Sequence, residues 1–263
     1  MIESFVLGIV QGIAEWIPIS SEGALVLVQT HFFGEQSVSH AIGVAVFLHL
    51  GTFFAALVYF RKDVFALLKT LTHYKHADER DKSLFRFLLI ATVISGSIGA
   101  GLLALLGDVE GSFAHATTLV TGGIGVLLLI TGVLQLRVRP DDDRTVASFG
   151  GRNSILLGIV QGFAALPGLS RSGLTVSALL LRGYRDDEAL RISFLMSLPI
   201  VLAGNILLGL RSVTFSIESL IAVVVSFAFG LLSIGILLRL ARAVQFGYFV
   251  AIFGILMIVA AFI

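Results

Sequence analysis

Six long apolar stretches dominate the sequence, and each is long enough to cross a lipid bilayer. They lie at about 40–60, 87–107, 116–136, 192–210, 217–238 and 243–263. A helix of roughly 20 apolar residues spans the hydrocarbon core, and the alternating pattern of a membrane barrel does not occur. Only 13% of the residues are charged, against about 25% in soluble domains. The pattern predicts an all-α integral membrane protein and argues against a soluble enzyme, a disordered chain or a nucleic-acid binder.

Two further apolar stretches, at about 4–30 and 153–181, are interrupted near their middles by proline, serine and charged residues. The first has no Lys or Arg before Arg61, which is not the pattern of a signal peptide. If both stretches return to the side from which they enter, sixteen of the 18 Lys and Arg residues fall on one face. That face is then cytoplasmic by the positive-inside rule. We therefore expect six transmembrane helices plus two re-entrant helical hairpins.

The two interrupted stretches contain an internal repeat. Residues 7–26 and 157–176 are identical at ten of twenty positions, and both begin Leu-Gly-Ile-Val-Gln-Gly. The chain 1–263 is therefore predicted to be a single polytopic domain, with a first repeat at about 1–136 and a second at about 153–263. Because the two copies enter from opposite faces, they are expected to be inverted-topology repeats, in which interrupted segments mark a binding site near the membrane midplane.

Glu15, Glu22 and Arg171 are the only Asp, Glu, Lys or Arg residues deep inside the apolar segments. Such residues are costly in a membrane and indicate function. The second tip, at 167–173, reads Pro-Gly-Leu-Ser-Arg-Ser-Gly and predicts an anion site, because hydroxyls, helix-start N–H groups and a guanidinium bind phosphate oxygens. The carboxylates of the first tip suggest bound Mg²⁺ or Ca²⁺, or a general base for attack by water or serine. The alternative is a structural Arg–Glu pair that joins the hairpins.

Other residues narrow the chemistry further. The sequence has no cysteine, which excludes thiolate metal sites and cysteine nucleophiles. His49 lies in the middle of a predicted span and is interpreted as a packed or hydrogen-bonded histidine rather than a catalyst. Lipid phosphatases of the acid-phosphatase superfamily carry a histidine nucleophile six residues after an arginine. Ser177 stands at that position after Arg171, so this mechanism does not apply.

At both tips the chain resembles the undecaprenyl-diphosphate phosphatase family of the bacitracin-resistance type. The segment Gln11-Gly-Ile-Ala-Glu-Trp-Ile-Pro-Ile-Ser-Ser-Glu-Gly-Ala24 is similar to the first family motif, and Pro167–Thr175 matches the second. Similar segments also occur at 48–52, 60–63 and 193–199. The resemblance covers essentially the whole chain.

The resemblance implies hydrolysis of an undecaprenyl-type diphosphate to the monophosphate and inorganic phosphate, which recycles the lipid carrier of cell-envelope glycans. It also implies inverted repeats with re-entrant hairpins, dependence on Mg²⁺ or Ca²⁺, and an active site open to the outer face of the plasma membrane. By position, Glu15 is the essential motif carboxylate, Ser21 the proposed nucleophile and Arg171 the diphosphate clamp. The residues expected to bind the substrate are Gln11, Ser20, Gly168, Ser170, Ser172, Gly173 and Thr175.

The first motif departs from the family pattern at three positions. Gln11 stands in place of the usual glutamate, which is a variant that the motif tolerates, whereas Glu22 replaces threonine and Ala24 replaces histidine. Either Glu22 takes over a base or metal role, with Glu15 and Glu22 as the predicted metal ligands, or this member has diverged in rate, substrate or function. The expected partners are the polyprenyl diphosphate and membrane lipids, without nucleic acid. The oligomeric state stays open, and a homodimer is one of the alternatives. The alternatives are a transporter for polyprenyl phosphate or another anion, and a purely structural or assembly protein.

Overall fold

The described part of the chain is almost entirely helical. A computed structural model describes residues 1–17, 20–35, 37–106, 151–166, 169–210, 213–243 and 246–261, with ten further positions between 122 and 136. The α-helices are α1 (Ile2–Ala14), α2 (Ser21–Phe32), α3 (Val38–Tyr59), α4 (Arg61–Thr72), α5 (Glu79–Leu106), α6 (Gly151–Phe163), α7 (Arg171–Leu181), α8 (Asp186–Gly204), α9 (Ile217–Ala243) and α10 (Phe246–Ala261). A 3₁₀ turn at Tyr74–His76 follows α4, and a π-helical segment at Asn205–Gly209 extends α8.

Four helices in the described part of the chain are long and apolar enough to cross a membrane. They lie at His40–Tyr59, Glu79–Leu105, Asp186–Gly209 and Ile217–Ala241, and they confirm four of the six predicted spans. The span predicted at 116–136 lies largely outside the described residues. At 243–263 the structure has the apolar helix α10, which is 16 residues long. The chain is therefore a multi-pass helical membrane protein.

The helices extend beyond the apolar stretches that predict them. Helix α5 begins at Glu79, well before the apolar stretch at 87–107, because hydropathy marks only the part of a helix that suits hydrocarbon. The region 61–86, which lies between two of the predicted spans, contains the separate helix α4. Three large apolar side chains of α4 are exposed, namely Phe65, Leu68 and Leu71. An exposed apolar face beside basic residues is typical of a helix that lies in the membrane interface.

The two copies of the repeat form equivalent pairs of helices. In the first pair α1 contacts α2, and in the second pair α6 contacts α7. Ser20 caps α2 by accepting a hydrogen bond from the Gly23 N–H, and Ser170 caps α7 by accepting one from the Gly173 N–H, both at 3.0 Å. Serine is among the best N-cap residues. The sequence repeat therefore gives the same local structure twice.

Each of these helix pairs packs against a long helix from the other half of the chain. Helix α1 lies along α9, and α6 lies along α5. A Cβ atom at Gly12 would lie 2.8 Å from the backbone nitrogen of Gly230, and one at Gly162 would lie 2.7 Å from Cβ of Ile98. Small residues permit such close approach of helices in membranes. This approach explains the glycines of the repeated Leu-Gly-Ile-Val-Gln-Gly motif.

Helix α3 lies at the centre of the fold, where it contacts α1, α2, α8 and α9. Nearby, Trp16 is 1% exposed, and its indole N–H donates to the Gly230 carbonyl at 3.1 Å. Its ring meets the ring of Phe194 edge to face, with the ring centroids 4.8 Å apart. The residue beside Trp16 is Glu15, so this packing anchors the turn that carries the candidate carboxylate.

Candidate active site

The first residues of α2 and α7 converge on the end of α1. Ser21 begins α2 and Arg171 begins α7, each directly after its serine cap. Glu15 caps the C-terminal end of α1, where its N–H donates to the Gln11 carbonyl at 3.1 Å. The two predicted tips therefore meet, and the structure brings together Glu15, Ser21 and Arg171 as the sequence predicts.

The Glu15 carboxylate is 5% exposed and accepts hydrogen bonds at both oxygens. Arg171 Nη2 donates to Oε1 at 2.5 Å. The other oxygen, Oε2, accepts from Ser21 Oγ at 2.8 Å and from Gln11 Nε2 at 3.1 Å, and it lies 3.0 Å from His49 Nε2. A buried carboxylate requires such partners because it has lost its hydration. The predicted structural Arg–Glu pair is thus present, within a larger network.

Arg171 is the first residue of α7, a position at which the helix itself disfavours a positive charge. The N-terminal end of a helix carries a partial positive charge, so a guanidinium at the first position is unfavourable. Apart from Glu15, its described contact is the Ser193 carbonyl, to which Nη1 donates at 3.3 Å. A guanidinium has five N–H donors. In the described part of the chain these two bonds occupy two of them, so Arg171 can also bind an anion.

His49 is a site residue that the sequence did not predict as functional. Its Nδ1 lies 2.6 Å from the Ala45 carbonyl, one turn earlier in α3, and its Nε2 faces Glu15. The imidazole is hydrogen-bonded as predicted, but its partner is the central carboxylate. The available signal was its position in the middle of a span, since ionisable side chains at that depth mark functional sites.

A cavity of about 290 Å³ opens beside this network. Its polar end is lined by Glu15, Ser20, Ser21, Glu22, His49, Ser170, Arg171 and Ser172. The remaining wall consists mainly of small and apolar side chains from α3, α5, α8 and the π-helical segment. The Glu22 carboxylate lies on this wall without a hydrogen bond to any described residue. The cavity is therefore polar and charged at one end and apolar at the other.

Three of the predicted substrate-binding residues lie behind the described cavity wall. Thr175 is 0% exposed, and its hydroxyl bonds to the Arg171 carbonyl and to Ser193 Oγ, at 2.9 and 2.6 Å. Gln11 contacts Glu15, and the Gly173 N–H contacts the cap of α7. These residues hold wall residues in place.

Of the other predicted substrate-binding residues, three line the cavity and one lies outside the described residues. Ser20, Ser170 and Ser172 line the cavity. Ser172 Oγ also donates to the Ile17 carbonyl at 2.9 Å and so joins the two tips. Gly168 lies outside the described residues. A role in substrate binding stays a prediction for all of them.

The described residues contain no group of three or more His, Cys, Asp or Glu side chains that could hold a metal ion. Both oxygens of Glu15 already accept hydrogen bonds, whereas the Glu22 carboxylate faces the cavity. Mg²⁺ is often bound through one or two carboxylates together with substrate phosphate oxygens. In this arrangement Glu22 fits a shared site of that kind better than Glu15 does. The predicted metal stays a prediction.

The family model described as bacitracin resistance protein BacA matches residues 4–260. The chain belongs to the BacA family. The repeated segments 7–26 and 157–176 and every site residue described above fall within the matched region.

Curated relatives from archaea are similar to this BacA-family chain over nearly their whole length. A protein of Methanococcoides burtonii is 44% identical, and the alignment covers 99% of this chain and 98% of the relative. A protein of Methanothrix thermoacetophila is 36% identical over 97% and 94% of the two chains, and one of Haloarcula marismortui is 37% identical over 95% and 93%. Each of the three is named undecaprenyl-diphosphatase.

Proposed function

We propose that the chain is a membrane enzyme that hydrolyses undecaprenyl diphosphate, or a similar polyprenyl diphosphate, to the monophosphate and inorganic phosphate. This reaction recycles the lipid carrier used in cell-envelope glycan synthesis. The observation that carries the proposal is the convergence of Ser21 and Arg171, from two repeated helix starts, on the buried carboxylate of Glu15. A nucleophile, a base and an anion-binding guanidinium are the groups that phosphoryl transfer requires. The name shared by the relatives supports the same substrate.

The apolar end of the cavity suits a prenyl chain. Its wall includes Gly99 and Leu103 from α5, together with Gly204, Leu207 and Leu208 from α8 and the π-helical segment. Leu103, Leu207 and Leu208 are each at least 43% exposed, so the cavity reaches the apolar surface of the molecule. A lipid substrate can therefore place its diphosphate at Arg171 and leave its isoprenoid tail against the apolar wall and the bilayer.

In the proposed reaction Ser21 Oγ attacks the terminal phosphorus of the diphosphate while its proton passes to Glu15 Oε2. The new Oγ–P bond forms as the bridging O–P bond breaks, and the polyprenyl monophosphate leaves with the electron pair. Water then attacks the phosphoserine, Ser21 recovers its proton from Glu15, and inorganic phosphate leaves. Direct attack by a water molecule that Glu15 activates uses the same base and gives the same products. In both routes Arg171 stabilises charge on the transferred group.

A divalent cation fits this proposal at Glu22. Mg²⁺ or Ca²⁺ there would neutralise part of the diphosphate charge. Glu22 would hold the ion from the cavity wall, and Arg171 and the hydroxyls of Ser20 and Ser170 would orient the phosphate oxygens.

The proposed layout places the site near the membrane midplane, with its opening toward the outer face of the plasma membrane. The reciprocal packing of α1 on α9 and of α6 on α5 supports inverted-topology repeats. The basic residues of 61–86 and 182–191 support a cytoplasmic location for the opposite face.

A transporter of polyprenyl phosphate is the second candidate, because two repeated helix pairs that meet at a central site are also found in transporters. The deciding experiment measures phosphate release from undecaprenyl diphosphate by the purified protein without ATP. We expect release by the native protein, loss of release in Ser21→Ala, and normal release in the control His31→Gln, which alters an exposed residue of α2. Movement of lipid between leaflets without any phosphate release would contradict the enzyme proposal and favour transport.

A further inference from the structure

His49 reaches the site from a different helix than the two repeated tips. It is the only histidine on the described wall of the cavity, and its ring is 17% exposed. Its two ring nitrogens both have partners, namely the Ala45 carbonyl at Nδ1 and Glu15 Oε2 at Nε2. The imidazole is therefore fixed at both ends.

These two contacts define what the ring can do. A backbone carbonyl only accepts hydrogen bonds, so Nδ1 carries a proton. The partner of Nε2 is a carboxylate oxygen, so a proton also lies between Nε2 and Oε2. With both nitrogens engaged, His49 has no free lone pair with which to attack phosphorus. The geometry thus excludes His49 as a nucleophile and leaves it as a hydrogen-bond donor to Glu15.

The segment of α3 that carries His49 is itself held firmly. Thr52 Oγ1 donates to the His49 carbonyl at 3.1 Å and lies 3.4 Å from Gln11 Nε2. Ser226 of α9 donates to the Leu48 carbonyl at 3.1 Å. Helix α3 is therefore fixed to both α1 and α9 at this level, and it presents the imidazole from a rigid position.

Glu15, in contrast, lies beyond the last turn of α1, and Gln11 is the one described residue of that helix whose side chain donates to its carboxylate. Arg171 holds Oε1, which leaves Oε2 to face Ser21. We propose that His49 is the positioning residue that keeps Glu15 Oε2 directed at the Ser21 hydroxyl. This inference rests on the proposed function. In that reaction His49 keeps its own proton and orients the oxygen that receives the proton of Ser21.

The charges of the cavity agree with this role. The charged side chains on the described wall are Glu15, Glu22 and Arg171, and they sum to one negative charge. A protonated His49 raises that sum to zero, which makes entry of an anionic diphosphate more favourable. Helices α5 and α8 contribute only uncharged side chains to the described wall.

The test compares two amides that differ by one methylene group. Glutamine at position 49 has the length to donate to Glu15, whereas asparagine does not. We expect His49→Asn and His49→Leu to lower kcat by about 10²-fold, the effect of misplacing a reacting group by roughly 1 Å. His49→Gln should stay within about tenfold of the native kcat. KM should change by a similar factor in all three, because each removes the positive charge of the imidazole, whereas the difference between Gln and Asn should appear in kcat.

His31→Leu is the matched control, since it removes an exposed histidine from the neighbouring helix α2 and should leave kcat unchanged. Thermal unfolding in detergent shows whether each variant folds. If His49→Leu does not fold, the comparison of His49→Gln with His49→Asn still decides the test. Equal kcat values for Gln and Asn, or a loss that appears in KM alone, would overturn the role of His49. Absence of phosphate release by the native protein would instead overturn the proposed function, and this inference with it.

Discussion

Four side chains from four helices donate to the carboxylate of one residue, Glu15. Gln11 comes from α1, Ser21 from α2, His49 from α3 and Arg171 from α7. An uncompensated buried charge costs about 3–5 kcal/mol when its partner is removed. The arrangement therefore contributes to folding as well as to the proposed chemistry, and variants must separate the two effects.

Arg171→Lys separates the contribution of Arg171 to folding from its contribution to the reaction. Lysine keeps the charge but loses the planar fork that holds two phosphate oxygens. If Arg171 stabilises the transferred phosphoryl group, we expect kcat for phosphate release to fall by about 10²-fold or more. The double variant Arg171→Met with Glu15→Leu removes both charges and should unfold at a temperature close to that of the native protein. Native-like turnover in Arg171→Lys would show that Arg171 serves only the ion pair.

Glu22→Gln tests whether this carboxylate replaces the histidine that the family motif carries at the position of Ala24. The amide keeps the size but binds divalent cations poorly. We expect a loss of activity comparable to that of Glu15→Gln, a requirement for more Mg²⁺, and partial recovery when Ala24→His is added. Ala24 lies one turn after Ser21 on α2, so the new imidazole lies on a face that α2 shares with Ser21. Unchanged turnover and Mg²⁺ dependence in Glu22→Gln would leave Glu15 as the only base.

Chelation tests directly whether phosphate release requires a divalent cation. EDTA should abolish phosphate release, and Mg²⁺ or Ca²⁺ should restore it. Zn²⁺ should restore it poorly, because the site offers oxygen ligands and a single histidine. Full activity in excess chelator would remove the cation from the proposal.

At the scale of elements, the fold depends on two close contacts between helices. Gly12 of α1 and Gly162 of α6 leave no room for a side chain, whereas Gly101 of α5 has no described atom within 4 Å of its Cβ position. We expect Gly12→Ala and Gly162→Ala to destabilise the protein by about 1–3 kcal/mol. Gly101→Ala should be neutral or slightly stabilising, since alanine favours helices. Thermal unfolding in detergent measures all three, and equal unfolding temperatures would contradict the role of these contacts.

At the scale of the whole molecule, the absence of cysteine allows a direct test of the proposed topology. Cysteines introduced at the exposed residues Ser37 and Ser216 should react with an impermeant thiol reagent added outside the cell. One at Thr72, at the exposed end of α4, should react only after the membrane is opened. Reaction of Thr72→Cys from outside together with Ser37→Cys would contradict the layout with two re-entrant hairpins.

The sequence predicts those features of the molecule that depend on composition and local pattern. The apolar stretches predict the four described spans, and the repeat predicts two equivalent helix pairs whose tips meet at Glu15 and Arg171. The start of α5 and the helix α4 were missed, because a hydropathy pattern does not mark the part of a helix that lies in charged sequence. The partner of His49 was missed as well. That contact depends on how α3 packs against α1 and α2, which no spacing within a single helix reveals.

The packing of α1 on α9 also has a consequence for biosynthesis. Ser233 of α9 donates a hydrogen bond to the Gly12 carbonyl at 2.6 Å, from a position 221 residues later in the chain. A ribosome that adds about 5–20 residues per second needs about 10–40 seconds to make that distance. A first hairpin that enters the membrane before α7 and α9 are made would hold Glu15 without Arg171 and without the support of α9. Its carboxylate would then need shelter from lipid before its partners exist, which would make early insertion a vulnerable stage in the production of this protein.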